Sequence, residues 1–301
     1  MTVYIVGRGA IGTALAAQWK EAGCEVVFLC DGERKRRYAD SDLLVNGRKT
    51  RFIYSEPGDL PGDPGVVFLA VKYHQLPSVY PLLDRIGSGK TVFVSLLNGI
   101  DSEQMLAGRY GWDRVVNAFV NRIDATFTGN NLSFSVRGVV VFGDRTGENP
   151  GNAEKVRALL EAGKIEHSLE EDILSAQWLK FMINIGMNQV SALLGAPYRA
   201  FQDNAHIQTV AREAMEEAIS VARGLDISIP PGSIDEVFSM ISGYSLDGKT
   251  SMLQDVDARR KTEVDMLSGV LCRLGEELSI PTPVNRVLFH SLKFLESRYL
   301  H

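Results

Sequence analysis

The sequence predicts an α/β protein whose N-terminal half is a doubly wound parallel sheet and whose C-terminal half is entirely helical. Two observations support this prediction. Up to about residue 165, short β-branched runs alternate with helical stretches, which is typical of βαβ units. From about residue 168 onward, long segments with apolar residues at a 3.6-residue period take their place.

The change of pattern also predicts the domain organisation. At about 150 residues per domain, a chain of 301 residues suggests two domains. We place the boundary between a domain at 1–167 and a domain at 168–301. No long Ser- or Gly-rich linker separates the halves. We therefore expect them to pack closely and to leave a cleft at the joint.

The individual elements follow from these patterns. The predicted strands are Val3–Val6, Glu25–Cys30, Val66–Val71, Thr91–Ser95, Val115–Val120 and Val139–Phe142. The predicted helices of the first half are Ala10–Ala22, His74–Ile86 and Asp101–Gly108, and the charged run Glu33–Arg37 is interpreted as a solvated loop. The predicted helices of the second half are Leu169–Leu194, Ala205–Arg223, Ser233–Ser242, Asp255–Glu277 and Pro283–Tyr299.

Composition argues against several classes of protein. The net charge of −5 argues against a general nucleic-acid binder, which needs a cationic surface. No apolar run approaches the roughly 18–20 residues of a membrane span, and the N-terminus does not have the pattern of a signal peptide. The three cysteines form no CxxC motif, and the histidines show no ligand spacing. We therefore expect a cytoplasmic, metal-free protein.

A glycine-rich run near the N-terminus predicts a dinucleotide site. Three glycines at these offsets are weak evidence alone, but the run follows an apolar strand and opens a helix. In this interpretation Gly7 makes the tight turn, Gly9 lets the backbone approach a pyrophosphate, and Gly12 allows close packing of helix and strand. The predicted cofactor-binding residues of the run are Gly7, Arg8, Gly9, Ala10, Ile11 and Gly12.

The end of the second predicted strand bears on the choice of cofactor. Asp31 lies 19 residues after Gly12, where a carboxylate can accept hydrogen bonds from the adenosine ribose and would repel a 2′-phosphate. This favours NADH. The basic run at 34–37 lies just beyond and could instead accommodate the phosphate of NADPH. Lys72 and Asn98 follow two other predicted strands, so both are expected to point toward a bound cofactor.

Two polar constellations mark the helical half. Lys180, Asn184 and Asn188 recur every four residues in an otherwise apolar segment, which places them on one helix face. Because buried polar groups need partners, this face must meet water, other polar groups or a ligand. A solvated stripe would explain Lys180 alone, but the two asparagines, which are mediocre helix formers, favour a functional face. A second group, Asp255, Arg259 and Glu263, has the same spacing, which also predicts one shared face.

Together these motifs resemble those of the ketopantoate reductases (2-dehydropantoate 2-reductases) over almost the whole chain. The motifs are GRGAIG at 7–12, VK at 71–72, NG at 98–99, the W-x-K-x-x-x-N-x-x-x-N block at 178–188 and SMLQD…TE-x-D at 251–265. The resemblance implies a Rossmann domain followed by a helical domain like that of 6-phosphogluconate dehydrogenase. It also implies reduction of 2-dehydropantoate to (R)-pantoate, in the pathway to pantothenate and coenzyme A, normally with NADPH.

The resemblance also assigns roles by position. Lys180 is implied to be the proton donor, Glu263 to belong to the catalytic and cofactor-binding region, and Ala125 to lie near the nicotinamide end. The implied substrate contacts are Asn98, Lys180, Asn184, Asn188 and Ser251.

Three residues depart from the family pattern. Arg8 replaces a small residue in the glycine loop, Asp31 stands where NADPH-using members commonly carry arginine, and Tyr198 replaces a substrate-binding asparagine of some members. The first two bear on the cofactor, NAD(H) or NADP(H), and the third on the keto acid. The alternatives are a related 2-keto or 3-hydroxy acid dehydrogenase and a non-catalytic dinucleotide-sensing protein. The apolar helical domain is also compatible with a homodimer.

Overall fold

The computed structural model describes residues 1–86, 89–145 and 147–300. The chain divides into two compact units. Unit 1 comprises Met1–Asn98 and Ser102–Ile173, and unit 2 comprises Gly99–Asp101 and Leu174–His301, although His301 itself lies outside the described residues. The boundary predicted between residues 167 and 168 falls inside the strand His167–Leu169, which belongs to the sheet of unit 1.

The strands of unit 1 form a large sheet and a small sheet. The large sheet has the order β12–β11–β8–β7–β6–β1–β2–β5, and the small sheet has the order β4–β3–β10–β9. The strands are β1 (Thr2–Val6), β2 (Glu25–Leu29), β3 (Leu43–Val45), β4 (Arg48–Thr50), β5 (Ile53–Ser55), β6 (Val66–Leu69), β7 (Val92–Ser95), β8 (Val115–Ile123), β9 (Thr126–Thr128), β10 (Asn131–Ser133), β11 (Arg137–Gly143) and β12 (His167–Leu169). The six strands from β8 to β5 in the large sheet are all parallel to their neighbours. Their order, β8–β7–β6–β1–β2–β5, is that of a Rossmann fold.

Helices cover both faces of the large sheet. The helices of unit 1 are α1 (Ala10–Glu21), α2 (Gly32–Ala39), α3 (Leu76–Leu83), α4 (Ser102–Tyr110) and α5 (Asn152–Ala162), with short 3₁₀ turns at Pro57–Asp59, Tyr73–Gln75 and Trp112–Arg114. Apolar residues of α1 and α5 pack on one face, and apolar residues of α3 and α4 pack on the other. Consecutive residues of one strand, such as Phe28 and Leu29, pack into opposite clusters because side chains point alternately to the two faces of a sheet.

The predicted α/β class is confirmed, with local corrections. β11 is antiparallel to β8, although a parallel sheet is predicted throughout. The run Glu33–Arg37 is part of helix α2 and not a loop, because the Asp31 side chain caps this helix by accepting from the Arg34 N–H. None of the residues in α2 is buried, so the run is solvated as predicted. The strands of the small sheet have three residues each and carry no clear alternation, so the sequence does not predict them.

Unit 2 is built from helices, and two of its helical segments contain a π turn. Its α-helices are α6 (Ile173–Ile183, with Ile173 in unit 1), α7 (Gln189–Leu194), α8 (Tyr198–Asp203), α9 (Ala205–Gly224), α10 (Ser233–Ile241), α11 (Ser251–Asp257), α12 (Val270–Leu278) and α13 (Pro283–Ser297). The first π turn (Asn184–Asn188) connects α6 to α7, and the second π turn (Asp265–Gly269) precedes α12. Along the described chain, no helix is long and apolar enough to cross a membrane.

The predicted helix Asp255–Glu277 is wrong as a continuous element. Helix α11 ends at Asp257, and Arg259 adopts a left-handed backbone conformation with φ of 52°. A β-carbon is disfavoured in that conformation within a helix, so the chain turns there and resumes as a helix only at the second π turn. The predicted helix Leu169–Leu194 likewise begins later, at Ile173, and contains the first π turn.

Candidate functional site

The glycine loop lies where the strand order of the large sheet reverses. Strand β1 pairs with β2 on one side and β6 on the other, and ligands of open α/β sheets bind beyond the carboxyl ends of strands at such a point. Gly7 has a φ of 110°, and a β-carbon on it would lie 2.4 Å from the Ala70 carbonyl oxygen. A β-carbon on Gly12 would lie 2.2 Å from the Gly7 carbonyl oxygen. Both positions therefore require glycine for packing.

Gly9 is different, because its surroundings are open. A β-carbon there would meet no atom closer than the Ala70 oxygen at 3.7 Å. Gly9 is also the N-cap of α1 and offers no side chain to the first N–H groups of that helix, which include those of Ala10 and Ile11. A helix N-terminus of this kind attracts anions through its N–H groups and its dipole. The loop thus fits the pyrophosphate of a dinucleotide.

Asp31 follows β2 and is held by its own helix. Its carboxylate accepts from the Arg34 N–H at 2.7 Å and from Arg34 Nη1 at 3.0 Å, and half of its side chain remains exposed. Other cations of the basic run also have partners. Lys35 Nζ donates to Asp59 Oδ2 at 2.6 Å, and Arg37 Nη2 donates to the Tyr38 hydroxyl at 3.4 Å.

Arg8 projects from the glycine loop onto an aromatic group. Its guanidinium carbon lies 3.9 Å from the centre of the Tyr38 ring. Its Nη1 donates to the Ser41 and Tyr54 hydroxyls at 3.3 Å, and its Nη2 donates to Asn130 Oδ1 at 2.9 Å. Arg8 therefore ties the loop to α2, to β5 and to the turn before β10. No sequence pattern connects positions so far apart along the chain, so these partners could not be predicted.

The other predicted residues of unit 1 follow strands of the large sheet. Lys72 is exposed after β6, and its backbone N–H donates to Gln75 Oε1 at 3.2 Å. Asn98 is half-buried after β7. Ala125 packs against the same small apolar cluster as Ala10, which opens α1. The fold thus places Ala125 in the same cluster as the start of the helix that follows the glycine loop.

In unit 2, the predicted polar stripe borders buried residues. Lys180, Asn184 and Asn188 are half-buried, whereas Phe181 and Ile185 beside them are buried. Asn184 and Asn188 are the first and last residues of the first π turn, and Asn188 Nδ2 donates to Asn184 Oδ1 at 3.2 Å. The two amides therefore meet, as their spacing predicts, although the helix is not regular.

Ser251 is anchored to the same part of unit 2. It is exposed at the first position of α11, directly after Thr250, whose hydroxyl accepts from the Leu253 N–H at 3.2 Å. The buried Thr250 hydroxyl also donates to Ser191 Oγ in α7 at 3.0 Å. This bond fixes the start of α11 against the helix that continues from Asn188. Thr250 belongs to the polar group that opens this helix in the sequence, but its role as the cap was not predicted, although a threonine just before a helical segment is a capping signal.

Glu263 lies just before the second π turn, and its carbonyl accepts from Met266 and Leu267 at 3.1 and 3.0 Å. The predicted ladder of Asp255, Arg259 and Glu263 does not form, because the chain leaves the helix between them. The buried Asp255 instead pairs with Arg260, whose Nε donates at 2.8 Å. The two π turns contact each other. Glu263 therefore directly precedes an element that packs against the segment of Asn184 and Asn188.

Asp265 begins the second π turn and carries a network of charges. It pairs with Lys261 Nζ at 3.1 Å and with Lys293 Nζ of α13 at 3.0 Å. Burial raises the pKa of Asp265, but hydrogen bonds and charge from the two lysines outweigh burial and hold its pKa below the usual value. Among the residues that the structure describes, no group of three His, Cys, Asp or Glu could hold a metal ion.

Comparison with protein families covers both units. Residues 3–147 match the family model described as Ketopantoate reductase PanE/ApbA. Residues 172–296 match the model described as Ketopantoate reductase PanE/ApbA C terminal. The 2-dehydropantoate 2-reductase of Pyrobaculum aerophilum is 31% identical to this chain, over 97% of each protein.

Solved structures share the same fold. A D-mandelate dehydrogenase, solved in a ternary complex with NADH and anilino(oxo)acetate, is 19% identical over 99% of each chain, with a TM-score of 0.89. A dimeric ketopantoate reductase from Staphylococcus aureus is 20% identical, with a TM-score of 0.83 over 99% of this chain and 100% of that chain. Both likenesses extend through the N-terminal sheet and the C-terminal helices.

Proposed function

Because the chain belongs to the ketopantoate reductase family of oxidoreductases, we propose that it reduces 2-dehydropantoate to (R)-pantoate with a nicotinamide dinucleotide. The observation that carries the proposal is the polar stripe of unit 2. A lysine and two hydrogen-bonded asparagines lie half-buried on an otherwise apolar segment. Such a face suits a small ligand that carries a carboxylate, a ketone and a hydroxyl.

The cofactor would be held by unit 1. The open position at Gly9 and the N-terminus of α1 would accept the pyrophosphate, and Asp31 would accept from ribose hydroxyls. The complexes with NADH known for a protein of this fold support a nicotinamide dinucleotide. When bound, the reduced nicotinamide supplies a hydride to the ketone carbon of the substrate.

The protein itself would contribute a positive charge near the ketone oxygen and the proton that this oxygen receives. As the ketone is reduced, negative charge develops on its oxygen. The Lys180 ammonium would stabilise that oxygen and then donate the proton. Asn184, Asn188 and Ser251 would orient the oxo acid through neutral hydrogen bonds. Glu263, in this proposal, orients the ammonium.

The proposal is tested by steady-state kinetics of the wild-type protein and of Lys180→Ala. Wild type should oxidise NADH or NADPH when 2-dehydropantoate is added. The variant should lose about 10²- to 10⁴-fold in kcat, because the general acid is missing, while its dinucleotide Kd stays nearly unchanged. An unchanged kcat would remove Lys180 from the chemistry. Dinucleotide binding by the wild type without turnover of any oxo acid would instead indicate a dinucleotide sensor.

We further propose that NADH is preferred over NADPH. The Asp31 carboxylate would repel a 2′-phosphate, and three of the four cations of the run at 34–37 already have partners. Arg34 is held by Asp31, Lys35 by Asp59 and Arg37 by Tyr38. A kcat/KM for NADPH equal to or above that for NADH would contradict this proposal.

A second candidate substrate is a 2-oxo acid with a bulky apolar group. Tyr198 and Tyr244 pack edge to face, with ring centres 5.0 Å apart, and burial raises the pKa of Tyr198. The Tyr198 N–H donates to the Gly248 carbonyl at 2.9 Å, just before the helix of Ser251. An aromatic pair here would favour an apolar substituent over a hydroxymethyl group. Comparing 2-dehydropantoate with 2-ketoisovalerate and benzoylformate as substrates separates the two candidates.

We also propose that the enzyme is a homodimer, as the staphylococcal ketopantoate reductase is. Val287 and Phe294 support this, because they are 65% and 69% exposed and lie seven residues apart on α13. Exposed apolar side chains on one helix face are typical of interfaces. Light scattering should give the mass of two chains, and the mass of one chain would contradict the proposal.

A further inference from the structure

The two π turns of unit 2 each displace a backbone group from its usual partner. In a π turn an N–H bonds to the carbonyl five residues earlier, and not to the one four residues earlier. In the second π turn the Gly269 N–H donates to the Val264 carbonyl at 3.0 Å. An α-helix would pair that carbonyl with the Ser268 N–H. The Ser268 N–H must therefore find a partner outside its own helix.

The first π turn displaces a carbonyl in the same way. In an α-helix the Ile185 carbonyl would accept from the N–H of Gln189. The π bonding over Asn184–Asn188 pairs that N–H with the carbonyl one residue earlier. The Ile185 carbonyl is buried, as is the rest of that residue, so it too needs another donor.

One side chain bonds to both displaced groups. Gln189 Nε2 donates to the Ile185 carbonyl at 3.1 Å. Gln189 Oε1 accepts from the Ser268 N–H at 3.2 Å and from the Ser268 hydroxyl. Nε2 also donates to Asn285 Oδ1 at 3.3 Å. A primary amide has two donor hydrogens and two acceptor lone pairs, so this side chain uses its full capacity.

The amide is closed off from solvent and supported from behind. Gln189, Ser268 and Asn285 each have no exposed surface. Asn285 in turn donates to the Ala214 carbonyl at 3.1 Å and to Glu217 Oε2 at 2.8 Å, both in α9. Because water cannot replace any of these partners, removing the amide takes a hydrogen bond away from each displaced backbone group.

We propose that Gln189 is a positioning residue, which locks the first π turn against the second and so sets the placement of Asn184 and Asn188 relative to Glu263. Asn184 and Asn188 lie at the ends of the first π turn, and Glu263 lies two residues before the second. The inference rests on the proposed function, in which these three side chains form the oxo-acid site. Gln189 itself is buried behind that site and does not contact the substrate.

The test is Gln189→Met, which keeps the length of the side chain and removes the amide. Three readouts are needed. Exchange of the Ser268 amide hydrogen, followed by mass spectrometry, should become faster because that N–H loses its acceptor. The KM for the oxo acid should rise by about 10- to 100-fold, because small displacements of binding groups are costly, while kcat changes much less. The Kd for the dinucleotide, which binds unit 1, should stay the same.

The matched control is Gln208→Met in α9. Gln208 Nε2 donates to the carbonyls of Phe201 and Gln202 and to neither π turn. This variant should leave KM and Ser268 exchange at wild-type values. Should Gln189→Met fail to fold, Ser268→Ala removes the hydroxyl donor and keeps the backbone N–H, and a smaller rise in KM is expected.

Three results would overturn the inference. Unchanged Ser268 exchange in Gln189→Met would show that the amide does not hold the second π turn. Faster exchange with an unchanged KM would make the amide a stabilising contact without a positioning role. A rise in KM accompanied by an equally large fall in kcat and in dinucleotide affinity would indicate general damage to the fold. A wild-type protein that turns over no oxo acid would instead refute the proposed function, and the exchange measurement would still report on the lock.

Discussion

At the scale of single residues, Asp31 has one observed task, capping a helix, and one proposed task, reading the cofactor. It caps α2 by accepting from the Arg34 N–H at 2.7 Å, and it presents a half-exposed carboxylate at the end of β2. The first task needs a side-chain oxygen, which aspartate and asparagine both supply. The second, repulsion of a 2′-phosphate, needs the negative charge. The two tasks can therefore be separated by substitution.

Asp31→Asn should keep the cap and change the cofactor preference. Since the charge is lost, the ratio of kcat/KM for NADPH to that for NADH should rise by about tenfold, the size of one charge interaction of roughly 1.4 kcal/mol. Asp31→Ala is the control, because it also removes the cap and should destabilise the protein by about 0.5–2 kcal/mol. An unchanged ratio in both variants would show that Asp31 does not read the ribose.

At the scale of elements, the turn from β1 into α1 assigns different physical tasks to glycines of one motif. Gly7 and Gly12 are required by packing, because β-carbons there would overlap backbone atoms of the protein. Gly9 is not required by packing, since its nearest neighbour would lie 3.7 Å away. Its backbone φ of −88° is also accessible to alanine. The space beside Gly9 is therefore the part of the motif available to a ligand.

Gly9→Ala and Gly12→Ala should consequently fail in different ways. Gly9→Ala should fold with a melting temperature close to wild type and bind the dinucleotide at least about tenfold more weakly, because the methyl group occupies the approach to the pyrophosphate. Gly12→Ala should lower the melting temperature, because its β-carbon would overlap the Gly7 carbonyl. Wild-type dinucleotide affinity in a folded Gly9→Ala variant would argue against a pyrophosphate at this position.

The same four-residue spacing of polar residues occurs in two segments of unit 2, and its structural outcome differs between them. The four-residue spacing of Lys180, Asn184 and Asn188 predicts a shared polar face, and the structure shows the two asparagines bonded to each other. The same reasoning fails for Asp255, Arg259 and Glu263, because Arg259 turns into the left-handed region. Nothing in the local sequence marks that turn. The turn is accompanied by a local bond from Arg260 to the buried Asp255, five residues earlier in the chain.

At the scale of the whole molecule, charge pairs held by tertiary contacts make stability depend on pH. Asp265 illustrates this, since its partner Lys293 is 28 residues away in the chain, while its second partner, Lys261, is a local one four residues before it. Burial raises its pKa, but the two lysines outweigh burial and leave the folded-state pKa below the unfolded value. A depressed carboxyl pKa stabilises the fold above the unfolded pKa of about 3.9, and this stabilisation is lost as the pH falls through the folded pKa.

Asp265→Asn should therefore lower the melting temperature at pH 7 and flatten its decline in acid. The loss at pH 7 follows because the two lysines keep their charges but lose the carboxylate. The flattening follows because one group whose protonation opposes folding has been removed. Melting temperatures from pH 7 down to pH 2 would measure both effects. An acid limb as steep as that of the wild type would mean that other carboxylates govern it.

The order of the α/β and helical halves, the glycine turn and the spacing of the polar residues of unit 2 could all be predicted from the sequence. These depend on local periodicity and on conformational demands that a few neighbouring residues satisfy. The antiparallel β11, the contact of Arg8 with Tyr38 and the hydrogen bonds of Gln189 to both π turns became visible only in the folded chain. Each of these joins groups distant along the chain, and their pairing is decided by which buried polar or apolar groups find partners once the chain is folded.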